Sequence, residues 1–135
     1  MNLVERVEIT NATLAQFVGQ PFAFGACDCG LMVIRHLKAM GWTIRTGGTW
    51  KTATALKRFL KRHGGSGAAC IDSWGLPRIA PAAAIVGDIV EIQGVPPFGA
   101  FGICVGNGRI MAFHEDAEGV AILQPVEPPI AAWRA

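Results

Sequence analysis

Cys29 is the residue with the most chemistry to offer in this chain. It stands in Asp28-Cys29-Gly30, where an extended stretch turns into a helix. Phe22 and Phe24 fall on one side of that stretch, and Gly25 permits the turn. Leu31, Val33, Ile34, Leu37 and Met40 then recur with helical spacing and predict a broad apolar face. Asp28 is placed to cap the first turn by accepting a backbone N–H that has no partner within the helix. Gly41 suits the left-handed stop. A thiol at such a helix start meets unpaired amides and the positive end of the dipole, so its pKa is expected to fall. That is the setting of a cysteine nucleophile.

A nucleophilic cysteine needs an imidazole within reach. His36 lies on the same helix, roughly 10 Å further along its axis at 1.5 Å per residue. It reads as an exposed or dipole-stabilising residue. His63 ends the next helix beside Gly64–Gly67 and reads as a C-terminal cation. His114, at a strand end in the second half, is the remaining candidate base. Cys104 shares a strand face with Ala100 and Gly102 by period-2 alternation and is expected under the helix as a packing thiol. Cys27, Cys29, Cys70 and Cys104 lack the paired spacing of a zinc site, so no metal or other cofactor is expected.

The elements that position these groups are legible in outline. Residues 1–9 read as a short strand or an arm. Thr10 or Asn11 opens a first helix over 12–18, with Leu14, Phe17 and Val18 inward. The loop 41–51 carries Trp42 and Trp50, a partner platform or core plugs. Thr52 opens a further helix to His63, with Ala53, Leu56, Phe59 and Leu60 on one face. A short strand is expected at 68–72. Strands follow at 88–93, 100–106, 109–114 and 119–124, with Asn107-Gly108 as a tight hairpin turn and an acidic turn over Glu115–Gly119. Ile130 and Trp133 dock the tail. Helices first and strands second argue for one α+β domain over 1–135: a helical half at 10–65, a β half at 68–125 and a docking tail at 126–135.

Composition narrows the function classes. The chain is 51% hydrophobic and only 16% charged, which suggests apolar surface packed into an assembly. Glu5, Arg6 and Glu8 argue against a secretion signal, and Gly, Pro, Asn or Gln interrupts the uncharged stretches around 9–27 and 92–108, so neither reads as membrane-spanning. Residues 29–71 hold eight Lys or Arg and no acid, whereas 72–135 hold seven acids and three bases. Lys57/Lys61 and Arg58/Arg62 are like-charged i,i+4 pairs. Arg58 and Arg62 are therefore candidates for contact with an acidic partner. No aromatic-interleaved basic motif points to nucleic acid.

Asp28-Cys29-Gly30 before an apolar helix resembles the nucleophile motif of NlpC-type cell-wall peptidases, a papain-like superfamily. Gly87-Asp88-Ile89-Val90-Glu91-Ile92 is similar to that family's second-half strand. Gly102-Ile103-Cys104-Val105-Gly106-Asn107-Gly108 is similar to the strand and turn after its catalytic His. Phe22-x-x-Gly25-x-x-Asp28-Cys29, Gly48-Thr-Trp-Lys-Thr52 and Ala132-Trp-Arg134 resemble a phage-encoded, tail-associated branch. The resemblance implies a papain-like domain with N-terminal helices packed on an antiparallel sheet, and the Cys29 sulfur beside the sheet edge near Ala100. It also implies a loss: the family's base is a His where this chain has Ala100, and its third polar residue falls near Met111. The function so implied is a phage tail-tip or tail-assembly protein using a degenerate peptidase domain as a structural or adaptor module. Alternatives are an active murein peptidase or amidase with Cys29 as nucleophile, and a wall-peptide binding module. Other tail proteins and peptidoglycan would be the partners, and the virion tail, after assembly in the host cytoplasm, the location.

Overall fold

A computed structural model describes residues 1–114 and 117–135. Four helices come first: α1 (Leu3–Phe17), α2 (Cys29–Ala39), α3 (Ala53–Arg62) and α4 (Gly67–Ser73). Six strands follow: β1 (Arg78–Ile79), β2 (Ile89–Ile92), β3 (Ala100–Gly106), β4 (Arg109–Phe113), β5 (Val120–Leu123) and β6 (Ala131–Trp133). They form one antiparallel sheet in the order β1-β6-β2-β3-β4-β5. The fold is α+β, with the N-terminal helices packed on the C-terminal sheet.

Each of the four helices begins at a side-chain cap. Asp28 caps α2, Thr52 caps α3 and Ser66 caps α4. Asn2 and Glu5 form a reciprocal capping box at the head of α1. That box starts α1 at Leu3, so residues 1–9 are neither strand nor arm. Ser66, accepting from Ala69 N at 3.1 Å, likewise makes 67–73 a helix where a strand over 68–72 was expected. In the β half, Asn107 and Gly108 both take positive φ (56° and 71°) and turn β3 into β4. Glu115 and Asp116 of the expected acidic turn lie outside the described residues.

The main core lies between helices and sheet. Phe17, Met32, Leu37, Phe59, Ile89, Ile103, Met111 and Trp133 are buried there. Trp133 is carried by β6, so the tail is an internal strand of the sheet, while Ile130 stays exposed. Val90, Ile110, Ala112 and Ala132 form a smaller cluster on the far face. Cys104 belongs to that side, in contact with a groove bounded by Pro81, Val90 and Ile110. It is therefore not under the helices.

α1 is unusual in what it buries. Arg6, Thr10, Thr13 and Phe17 face the protein. Arg6 donates from Nη2 to Asp88 Oδ1 at 2.6 Å, from Nε to Val86 O at 2.8 Å and from Nη1 to Ala135 O at 2.7 Å. Asp88 also accepts from Ile85 N at 2.9 Å and Ala135 N at 3.0 Å. Arg134 Nε lies 3.0 Å from its other oxygen, as a charge contact rather than an aligned hydrogen bond. The Gly87-Asp88 pair thus fastens α1, the sheet and the last strand together. A buried ion pair of this kind is far more costly to break than to build around.

Candidate functional site

Cys29 is the first residue of α2. Its position follows from Asp28, which is buried and has three hydrogen bonds. Oδ1 accepts from Leu31 N at 2.8 Å, which is the helix cap. Oδ2 accepts from Gly25 N at 2.8 Å and from Trp50 Nε1 at 2.8 Å. Gly25 has φ +77°, and a Cβ there would lie 2.2 Å from Trp50 O, so only glycine lets the two loops meet. The Trp50 ring packs on Phe59 of α3 with centroids 4.9 Å apart. The carboxylate is committed to this clamp through three hydrogen bonds, although Asp28 also lines the cleft that Cys29 faces. Trp50 is a plug, not an exposed platform.

The Cys29 thiol is partly accessible along one side and otherwise enclosed. Burial pushes its pKa up to about 11. The amide of Phe101 on β3 pulls the other way, the Asp28 charge adds to the rise, and the amides of Cys29 and Gly30 oppose it. The helix start therefore does supply donors, yet desolvation wins, and the expectation of a lowered pKa is overturned. At neutral pH Cys29 is a thiol.

No imidazole is among the groups acting on that sulfur. His36 is fully buried, contrary to its reading as an exposed residue. Its Nε2 lies 2.9 Å from Gly87 O and its Nδ1 2.9 Å from Thr13 Oγ1. The carbonyl can only accept, so Nε2 carries the hydrogen; the Thr13 hydroxyl also lies 3.1 Å from Ile9 O, and its single hydrogen serves either that carbonyl or Nδ1 of the neutral ring. Burial lowers its pKa, and the Arg6 charge adds to this against the opposing Gly87 bond and Asp88 charge. His63 lies against Phe59 and bonds to Thr46 O at 3.0 Å. His114 is exposed at the end of β4, beside a groove formed with Ile92, Leu123 and the 125–128 segment. The structure does not bring it into the cleft that Cys29 lines.

That cleft has a volume of about 320 Å³. Cys29, Phe22, Phe24, Val95, Phe98 and Ala100 are among its walls. Ala100 and Cys29 thus share one space, at the end of β3. Behind Cys29 a smaller apolar cavity of about 60 Å³ is bounded by Leu56, Cys70, Trp74 and Phe101. Arg58 and Arg62 lie away from both, on the exposed face of α3 opposite buried Phe59 and Leu60. Among the described residues no cluster of His, Cys, Asp or Glu could hold a metal ion, and no helix is long and apolar enough to cross a membrane.

The sequence pattern of the family described as "Domain of unknown function (DUF6950)" matches residues 5–135. The chain belongs to this family. No curated protein matches it. The DUF6950 match takes in Gly25, Asp28, Cys29, Trp50, Asp88 and Phe101, so the capped cysteine and both fastening networks lie inside the family's domain. Sequence reasoning missed the Trp50 bond to Asp28 and the Arg6 bond to Asp88. A lone Arg among Thr10 and Thr13 on one helix face was the available signal for the second. Nothing local signals the first, because 22 residues separate the partners.

Proposed function

We propose that this chain is a papain-like, NlpC-type domain whose peptidase centre is degenerate, and that it serves as a structural or adaptor module of a phage tail tip. The observation that carries the non-catalytic part is the state of Cys29. It sits at the helix start beside the Phe101 amide, as a nucleophile would, but as a half-buried thiol with a raised pKa, with Ala100 in the shared cleft and no imidazole among the cleft's walls. An acyl-transfer site needs thiolate, base and oxyanion donors together. Only the donors are in place. Support for the tail role comes from the motif resemblance and from the low charged fraction.

The test is incubation of the purified protein with peptidoglycan. No release of wall peptide is expected, and Cys29→Ala should behave as the wild type. Hydrolysis lost in Cys29→Ala would overturn the reading and make the chain a murein peptidase or amidase. Co-purification with the other tail proteins of the same phage tests the assembly role separately. The open apolar cleft favours a second reading, a wall-peptide binding module, which a pull-down on insoluble peptidoglycan distinguishes.

A further inference from the structure

The first half of α1 turns its apolar side outward. Leu3, Val4, Val7 and Val18 are 61%, 66%, 39% and 52% exposed, while Arg6, Thr10 and Thr13 are buried. At about 100° per residue, Leu3, Val4 and Val7 fall within roughly one third of the helix circumference, while Leu14 and Phe17 further along pack on the core and Val18 is the exposed residue that follows the helix. The polar interior of α1 is explained by Asp88 and His36. Its apolar exterior has no counterpart within the fold. Glu8 stands one turn from Val4 on the border of this stripe and is exposed.

A second unpartnered apolar surface lies elsewhere on the same chain. Phe22 and Phe24 are 48% and 37% exposed, and Val95 is 71% exposed, on the open side of the cleft of about 320 Å³. Its α3 bank is cationic. Lys57 Nζ stands 5.8 Å from the Phe98 ring centre, with Lys61 one turn beyond it and Lys51 next to the Gly25 turn. No ion pair among the described residues neutralises these side chains.

We infer that these two surfaces are halves of one contact between copies of this chain: the α1 stripe of one copy seats in the cleft of the next. Apolar meets apolar, and Glu8 of one copy faces the Lys57 bank of the other. Helix-in-groove docking uses anchors one turn apart, as Leu3 and Val7 are. The two surfaces differ, so the contact is head-to-tail and builds a ring or a filament rather than a symmetric dimer. Opposite charge at the rim steers the encounter and makes it salt-sensitive.

Sedimentation velocity with two complementary variants tests this. Val4→Lys with Val7→Lys blocks the stripe, and Val95→Asp with Lys57→Glu blocks the cleft. All four positions are exposed, and thermal melts confirm that both variants fold. The wild type should associate beyond a dimer as concentration rises, at least tenfold more weakly in high salt. Each variant alone should be monomeric. Their equimolar mixture should form a one-to-one heterodimer and stop, because one intact stripe and one intact cleft remain to meet. Three results would overturn the inference: a wild type that stays monomeric up to millimolar concentration, a mixture that stays monomeric, or a symmetric dimer abolished by the stripe variant alone.

Discussion

Asp28 shows how one carboxylate can hold a site together. It joins the turn at Gly25, the first turn of α2 and the Trp50 indole. Asp28→Ala removes the acceptor for all three and leaves a buried indole N–H unpaired. It should lower unfolding free energy by about 3 kcal/mol or more, measured by urea denaturation. A change near zero would mean that Trp50 is held by packing alone. His36 gives a prediction in pH. Its folded pKa lies below its ordinary value of 6.5. The unfolded chain therefore binds the proton first, and the neutral ring contributes stability fully above about pH 6.5 that is lost as pH falls toward the folded value. The melting temperature should drop on acidification through that range. His36→Gln, which can still donate to Gly87 O, should flatten this limb while lowering the plateau. Asp72, whose pKa is held below its ordinary value of 3.8 first by the Arg78 hydrogen bond, against burial, and further by the Trp133 bond and the Arg78 charge, contributes stability that is fully present above about pH 3.8 and is lost only at lower pH. Equal acid slopes in both proteins would remove His36 as the cause.

Among the elements, α3 was the most legible in the sequence. Its period put Phe59 and Leu60 inward, its cap at Thr52 and its cations outward, and the structure has this arrangement. Arg58→Glu with Arg62→Glu should therefore leave the monomer folded. Arg62 lies 6.0 Å from the Phe59 ring centre, so the loss should stay under about 1 kcal/mol. A collapsed melting temperature would show that these side chains do more than line a solvated face. Strands β2 to β5 were also legible, since alternation and the Asn107-Gly108 turn are local signals. α1 was not. Leu14 and Phe17 pack on the core as their spacing suggests, but Leu3, Val4, Val7 and Val18 are exposed and Arg6 is buried, so a rule that sends apolar residues to the core misreads its first half and misplaces Val18. β6 was missed for a different reason. Three residues among prolines carry no period, and only the register of Ala131–Trp133 against β2 makes them a strand. The site was half legible. The motif located Cys29 at a helix start, but the pKa depends on burial by β3 and the helices α3 and α4, which no local pattern records.

At the scale of the whole molecule, the fold keeps a cysteine at a helix start against a sheet while the surroundings hold it protonated. In the proposed reading this is a peptidase architecture kept for assembly after its chemistry was lost. Both fastening networks, Asp28 with Trp50 and Asp88 with Arg6, serve rigidity, which a module in an assembly needs as much as an enzyme does. The central claim is the protonation state of Cys29, and it can be read directly. The 13Cβ resonance of Cys29 reports thiol or thiolate as pH is raised, independently of reagent access. It should remain that of a thiol through pH 9, with a midpoint near 11. A midpoint at or below neutrality would mean that the amides of the helix start prevail over burial, and would return Cys29 to the role of an active nucleophile.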